Sequence, residues 1–398
     1  MINRRHFLYG SAMAGLATAM TGPRIAYATA PGENRFVMII LRGGMDGLHA
    51  LPPYADPYYK KLRPRLAVKA PGFEGGVLNL DGSFGLHPAF EKLLPLYKSK
   101  ELLFIPAAST RYRKRSHFDG QNILENGTGK PFGANDGWLN RALTHLNDGD
   151  QRLGLALGSN VPLILQGGAG VQSWGKSPFG EVDEDFLMRL TYAYEEDKLF
   201  SSAFSEARNA PKIPGMDEDA GKGKRKRNKE NTNLFAKATA ELLNRDDGPR
   251  IAVMETTGWD THFGQAGRLN RLFKQLGSAI LTLKHGLQDN WVNTQVLVVS
   301  EFGRTAAENG NGGTDHGVGG LAILAGGAIK GGQVVGDWPG LSPRSLYEGR
   351  DVFPTTDCES IFKSILSNGY NIGQAVVEDQ IFPNSRKSIP LDGLFKGA

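Results

Sequence analysis

Five polar or glycine-rich segments of this chain bear side chains suited to chemistry. Gly258-Trp259-Asp260-Thr261-His262 sets a carboxylate two residues from an imidazole. Ser300-Glu301-Phe302-Gly303-Arg304-Thr305 and Thr314-Asp315-His316-Gly317 add two carboxylates, one imidazole and a guanidinium. In Leu41-Arg42-Gly43-Gly44-Met45-Asp46-Gly47, glycines leave space around one carboxylate. These residue types suit one or two divalent cations. Imidazole with carboxylate fits zinc, whereas more oxygen ligands move the preference toward manganese, magnesium or calcium. The candidate ligands are Asp46, Asp260, His262, Glu301, Asp315 and His316. A cation held there would activate a nucleophile and hold charge on a phosphoryl-like group. Each segment also has a plainer reading. Asp46 suits a turn that bonds its own backbone, Asp260 and His262 suit a structural pair, and Glu301 suits a local salt bridge with Arg304.

The fifth segment, Arg111-Tyr112-Arg113-Lys114-Arg115-Ser116-His117-Phe118-Asp119, offers a nucleophile. Ser116 at the mouth of a helix serves as N-cap, with Asp119 three residues on forming a near capping box. The same hydroxyl is placed to attack phosphorus or sulfur. The helix N-terminus and the basic cluster would favour a charged ester group and a developing oxyanion. His117 is a candidate metal ligand or acid/base, and Arg304 a candidate fork for a substrate oxygen.

Elements able to bring these segments together follow from hydrophobic periodicity. Strands are expected at 35–41, 102–107, 153–157, 250–255, 294–300 and 321–325. Helices are expected at 88–99, 117–125, 183–208, 265–287 and 355–366, where apolar residues recur three and four apart. Phe36-Val37-Met38-Ile39-Ile40-Leu41 and Val296-Leu297-Val298-Val299 are apolar throughout, as in strands buried on both faces of a parallel sheet. The expected fold is therefore α/β, a mainly parallel sheet sandwiched between helices. Ligands in such sheets sit beyond the carboxyl ends of the strands. Asp46, Asp260, His262 and Glu301 all follow strand ends, so separate loops converge on one edge.

The N-terminus carries a different signal. Asn3-Arg4-Arg5-His6-Phe7-Leu8 has the twin-arginine pattern, followed by an Ala/Gly-rich apolar stretch from Tyr9 to Met20 that is too short to span a bilayer. Ala26-Tyr27-Ala28 supplies the small residues a signal peptidase reads, so 1–28 is expected to be a signal peptide and 29–398 the mature domain. Export through the twin-arginine translocase to the periplasm or beyond, with no stable membrane anchor, is the expectation. The 398 residues, 40% hydrophobic, can bury a sizeable core. The formal charge of +5 drops to +2 without Arg4, Arg5 and Arg24, which argues against a nucleic-acid partner. A single cysteine, Cys358, makes no internal disulfide and falls in a late helix. Residues 210–233, with the run Lys222 to Lys229, are expected to form a flexible basic insertion. His49, His87 and Trp338 lie in Gly/Pro-rich stretches without a constellation.

Together, the leader, Leu41 to Gly47, Arg115-Ser116-His117-Phe118-Asp119, Gly258 to His262, Ser300 to Thr305 and Asp315-His316-Gly317 resemble the bacterial domain-of-unknown-function family 1501 over nearly the whole mature chain. That family is grouped with the alkaline phosphatase and sulfatase superfamily. The resemblance implies a parallel sheet between helices with a metal site at its carboxyl edge. It matches Asp46 to the carboxylate after the first strand and Ser116 to the nucleophile, and sets Asp260, His262, Glu301 and His316 near the remaining ligand positions. The sulfatase Cys-x-Pro-x-Arg signature is absent, which argues against a formylglycine nucleophile. The expected function is an exported metal-dependent hydrolase of an anionic phosphate or sulfate ester, free or polymer-linked. A non-catalytic binding protein that keeps the fold is the alternative.

Overall fold

The computed structural model describes residues 33–146, 153–158, 160–175, 184–194, 197, 201, 202, 204, 205 and 227–396. The leader and residues 210–226 of the basic insertion lie outside this set. A nine-stranded sheet forms the middle layer. In chain order its strands are β1 (Arg35–Leu41), β2 (Leu102–Ser109), β3 (Gly154–Leu157), β4 (Val171–Trp174), β5 (Ile251–Thr256), β6 (Thr294–Ser300), β7 (Gly320–Ala325), β8 (Gln333–Val334) and β9 (Thr356–Asp357). Their spatial order is β8-β2-β7-β6-β1-β5-β3-β4, with β9 paired to β2. The pairings are parallel except those of β7, which runs against β2 and β6.

Five helices cover the sheet: α1 (His117–Asn126), α2 (Trp138–Leu146), α3 (Arg227–Leu243), α4 (Gln265–Leu287) and α5 (Cys358–Tyr370). Alternation along β1 shows why both faces are apolar. Val37, Ile39 and Leu41 pack with Ala236 and Ala240 of α3 and Leu269, Phe273 and Ile280 of α4. Phe36, Met38 and Ile40 point the other way, into a second core with Leu139 and Leu143 of α2 and Ile361, Phe362 and Ile365 of α5. The expected α/β sandwich is the observed architecture. Strands β1 and β6 and helix α4 have the expected bounds, and Cys358 is buried.

Several segments differ from expectation. Strand β4 was not anticipated, the helix expected at 183–208 is described as Glu184–Tyr194 with Asp197 outside it, and the late helix runs Cys358–Tyr370 rather than 355–366. Residues 88–99 form a 3-10 turn, Pro88–Leu93, before an α-helix, Leu94–Lys98, because Pro95 has no N–H for the preceding ladder. Helix α3 begins at Arg227, so residues 227–233, expected in a surface loop, are helical. Helix α2 was not anticipated, although Leu139, Ala142, Leu143 and Leu146 recur at helical spacing and are buried. No helix of the described residues is long and apolar enough to cross a membrane.

The register levels the strand ends. Leu41 of β1 lies opposite Thr256 of β5 and Ser300 of β6. Gly320, the first residue of antiparallel β7, pairs with Ala108 near the end of β2. Segments leaving β1, β2, β5 and β6 and the segment entering β7 therefore meet at one edge.

His49 and His87, unassigned from the sequence, are buried with ring centroids 4.9 Å apart and pack against Phe273. Burial lowers His49 to about 4 and His87 to about 3. Both stay neutral while unfolded imidazoles, at about 6.5, take up protons. The unfolded chain then binds more protons, so stability falls as pH drops from 6.5 toward 4. In a double variant, His49→Gln with His87→Asn, this loss shrinks. The asparagine side chain keeps an acceptor for the Ala89 N–H that His87 Nδ1 now receives at 3.0 Å. The check is the difference in urea midpoint between pH 7 and pH 4.5, which should narrow in the variant; an equal difference in both proteins would refute the assignment.

Candidate metal centre

Helix α1 follows β2 by a short loop and starts at His117. The loop after β5 carries Asp260 and His262. A two-residue ladder between Gly303–Arg304 and His316–Gly317 folds His316 back to the same edge. There His117 Nε2 and His262 Nε2 each lie 3.0 Å from His316 Nε2. Asp260 joins them, with Oδ1 3.0 Å from His262 Nε2 and 3.3 Å from His316 Nε2, and Oδ2 3.6 Å from His117 Nε2. These four side chains are between 25% and 43% exposed, so the cluster opens to solvent on one side.

The opposite ring nitrogens determine the tautomers. His117 Nδ1 faces Glu301 Oε1 at 2.7 Å, His262 Nδ1 faces Asp315 Oδ1 at 3.1 Å, and His316 Nδ1 faces the Arg115 carbonyl at 3.0 Å. Each partner is an acceptor, so each Nδ1 carries the hydrogen and each neutral ring turns an Nε2 lone pair inward. Three such lone pairs beside a carboxylate repel one another unless a proton or cation lies among them. The Glu301 hydrogen bond raises His117, whereas burial and then the His117 charge lower His316. The separations among His117, Asp260 and His316, all within 4.8 Å of one another, also suit a cation, whereas His262 stands outside that mutual group and reaches it through His316 and Asp260. A three-imidazole, one-carboxylate set fits zinc better than magnesium or calcium.

Arg304 and Gly43 hold the set in place. Expected to grip a substrate oxygen, the Arg304 side chain is fully buried. Its Nε donates to Gly44 O at 2.7 Å, its Nη1 to Thr314 O at 3.1 Å, and its Nη2 to Gly43 O at 2.6 Å and to Asp260 Oδ1. It therefore ties the β1, β5 and β6 loops together and aims Asp260. Burial opposes ionisation of Asp260, but the Arg304 hydrogen bond and charge leave its carboxyl below the ordinary value. Gly43, at φ +125°, passes so close to this loop that a β-carbon there would lie 2.4 Å from Asp260 N.

The remaining candidates take other positions. Glu301 and Asp315 face imidazole Nδ1 atoms rather than the cluster centre, and Glu301 also accepts from Gly43 N at 2.8 Å and Gln121 Nε2 at 3.0 Å. Asp46 lies apart from the cluster, 1% exposed. It caps the short helix Gly47–Ala50 and accepts from Arg63 Nη1 at 2.7 Å and Gln265 Nε2 at 2.5 Å. Burial opposes its ionisation and Arg63 outweighs burial, so its carboxyl lies below the ordinary range. Ser116 occupies the N-cap of α1, but its hydroxyl makes no capping bond, and Asp119 instead accepts from Tyr112 Oη at 2.8 Å. The basic cluster is largely engaged internally. Arg111 binds Glu359, Arg113 binds the Thr110 and Tyr112 carbonyls, and Arg115 binds Asp351 and Glu348. Sequence reading did not anticipate Tyr112, Gln121, Gln265 or Arg63, since polar residues outside glycine-rich loops gave no spacing signal.

Two substitutions separate these roles. Glu301→Gln, which weakens the acceptor behind His117, should lower zinc affinity 10–100-fold with little effect on stability. Competition with a chromogenic chelator measures this, and wild-type affinity should be higher at pH 8 than at pH 6 because ligation needs neutral imidazoles and the Glu301 hydrogen bond raises His117. Unchanged affinity in the variant would refute the arrangement. Asp46→Ala should do the reverse. Leaving Arg63 buried without its carboxylate costs about 3–5 kcal/mol in chemical denaturation, and zinc affinity in the folded protein should hold within about threefold, well inside the 10–100-fold loss that marks a supporting residue.

No curated protein matches the chain in sequence. Among solved structures it is similar to a sulfatase from Pseudoalteromonas sp., at 12% identity and TM-score 0.42, covering 100% of this chain and 78% of that one. It is also similar to a protein in the alkaline phosphatase superfamily from Vibrio parahaemolyticus, at 11% identity and TM-score 0.39, covering 85% and 67%. A third is Ps i-CgsB in complex with k-i-k-neocarrahexaose, at 11% identity and TM-score 0.42, covering 90% and 77%. The model of the family described as Protein of unknown function (DUF1501) matches residues 108–381, a span that contains His117, Asp260, His262, Glu301, Arg304 and His316, and the chain belongs to that family.

Proposed function

We propose that this chain is an exported, metal-dependent hydrolase of phosphate or sulfate esters, carried by the twin-arginine translocase to the periplasm or beyond. The observation that carries the reading is the convergence of His117, His262 and His316 Nε2 lone pairs on the Asp260 carboxylate, each imidazole held from behind by a fixed acceptor. These four residues would hold one divalent cation, with zinc the best match to the donor set. When bound, it would supply Lewis acidity toward the ester oxygens and lower the pKa of a nearby nucleophile.

The chain's own groups supply the rest. Ser116, adjacent to His117, has a hydroxyl free of capping duty, and the neighbouring Tyr112 hydroxyl donates to Asp119 at 2.8 Å. Attack by the Ser116 oxygen on phosphorus or sulfur would form the new bond as the ester bond to the leaving oxygen breaks, the serine proton leaving with the alcohol. Water would then cleave the covalent intermediate to return the serine hydroxyl and free phosphate or sulfate. The first-turn N–H groups of α1 face the same end and would stabilise the developing oxyanion. Arg304 contributes by aiming Asp260. The internal pairing of Arg304 and of the 111–115 cluster favours the second reading, a binding protein that retains the metal without turnover.

Zinc-loaded protein assayed against a panel of phosphate and sulfate esters decides between them. Turnover that disappears with chelation and in Asp260→Asn, and falls at least 100-fold in Ser116→Ala with zinc retained, is the expected result. Full zinc occupancy with no turnover on either class would leave the binding protein as the account. A Ser116→Ala variant of unaltered rate would move nucleophilic attack from the serine to water.

A further inference from the structure

One buried carboxylate near the metal centre lies outside the donor set and outside the groups that face the imidazoles. Asp351 is 0% exposed, and its Oδ2 accepts from Arg115 Nε at 2.7 Å. Its Oδ1 is buried without a hydrogen-bond partner, with Arg350 Nη1 3.6 Å away. A buried carboxylate satisfied on one oxygen only is a poor device for stability alone. What it holds is unusual. Arg115 adopts φ +62°, a region that a long side chain occupies only where its surroundings over-determine it. The Arg115 carbonyl accepts the His316 Nδ1 hydrogen at 3.0 Å, and the same residue directly precedes Ser116, the N-cap of α1, and His117, its first residue. At the far end of the guanidinium, Glu348 Oε2 accepts from Nη2 at 2.6 Å, but Glu348 is 56% exposed and a solvated pair restrains little. Asp351 is therefore the anchor, and it is itself fixed. Its backbone N–H and C=O both bond to Tyr347, at 3.0 and 2.9 Å, and the carbonyls on either side, Arg350 and Val352, accept from Ala306 N and Gly319 N, each at 3.1 Å. Ala306 and Gly319 flank the ladder that carries His316, and Arg350 Nη2 donates to His316 O at 2.9 Å.

We propose that Asp351 is a positioning residue of the metal centre: through Arg115 it fixes the carbonyl that orients His316, so that His316 Nε2 faces the cation. This rests on the metal site of the hydrolase reading and is independent of turnover. Glu301 and Asp315 each act on an imidazole directly, whereas Asp351 acts at one remove, across the Arg115 side chain and backbone. Loss of the carboxylate frees the guanidinium, lets the Arg115 backbone relax toward ordinary φ, and releases the His316 Nδ1 hydrogen bond.

Competition with a chromogenic chelator on folded, full-length protein gives the zinc affinity, and the visible absorption of the cobalt-loaded protein reports donor geometry. Asp351→Ala should bind zinc about tenfold more weakly, the low end of the loss that marks a supporting residue, with altered cobalt bands. Asp351→Asn, which keeps an oxygen for Arg115 Nε, should return the affinity to within about threefold of wild type. Arg115→Ala should match Asp351→Ala, and the double variant should lie within about twofold of either single one, since both remove the same contact. Arg115 is the partly exposed partner, so its variant supplies the reading should Asp351→Ala not fold. Wild-type zinc affinity and cobalt bands in these variants, with only the urea midpoint lowered as expected of Asp46→Ala, would overturn the inference. Losses that add in the double variant would do the same. Either result with a wild type that binds zinc leaves the hydrolase reading in place, whereas a wild type that binds neither zinc nor cobalt removes both.

Discussion

Mutual repulsion of three imidazole lone pairs is the constraint around which this molecule is organised. His117 and His262 each bring Nε2 to 3.0 Å from His316 Nε2 next to Asp260, an arrangement that positive charge among the donors would stabilise. Nothing in the local backbone requires it. What enforces it lies one layer out, where Glu301, Asp315 and the Arg115 carbonyl hold each Nδ1–H and prevent the rings from flipping to relieve the conflict. The Arg115 carbonyl reaches His316 because Arg115 adopts φ +62°, an unusual conformation for a side chain of that size. Arg304 is a further constraint, since its buried guanidinium joins three loops to one carboxylate.

The sheet makes those constraints geometrically possible. Parallel strands β1, β5 and β6 end level with one another, so the loops behind Gly43, Asp260 and Glu301 start from a common line. The antiparallel strand β7 is the exception with a purpose. By entering at this edge rather than leaving from it, it lets the short ladder of Gly303–Arg304 with His316–Gly317 return His316 to the centre from the opposite direction. A wholly parallel arrangement would bring that segment to the far edge.

Much of this was legible in the sequence where apolar runs were long. Phe36 to Leu41 and Val296 to Val299 are uninterrupted because both faces of β1 and β6 are covered, and α4 kept its spacing over 23 residues. The convergence of Asp260, His262 and His316 followed from strand ends and glycines. Asp46 misled because a carboxylate in a glycine-rich loop looks the same whether it faces a cation or Arg63, and its partner lies 17 residues away with no spacing rule to link them. Arg304 misled likewise: an arginine three residues after a glutamate gives no sign that its acceptors are backbone carbonyls of two other loops. Helix α3 was obscured by the basic run that enters it.

The number of cations follows from the same accounting of partners. Six carboxylates and imidazoles looked available as ligands, enough for two metals. Asp46 is neutralised by Arg63, and Glu301 and Asp315 each hold an imidazole N–H, so their charge acts through a histidine instead of on a metal. Among the described residues, one group of metal-type donors closes within 4.8 Å, built on His117, Asp260 and His316, and His262 extends it. In the proposed hydrolase, a single cation would leave no second metal to steady the leaving oxygen. On that reading the task would fall to the amides opening α1, and the identity of the leaving group would matter more than in a two-metal centre.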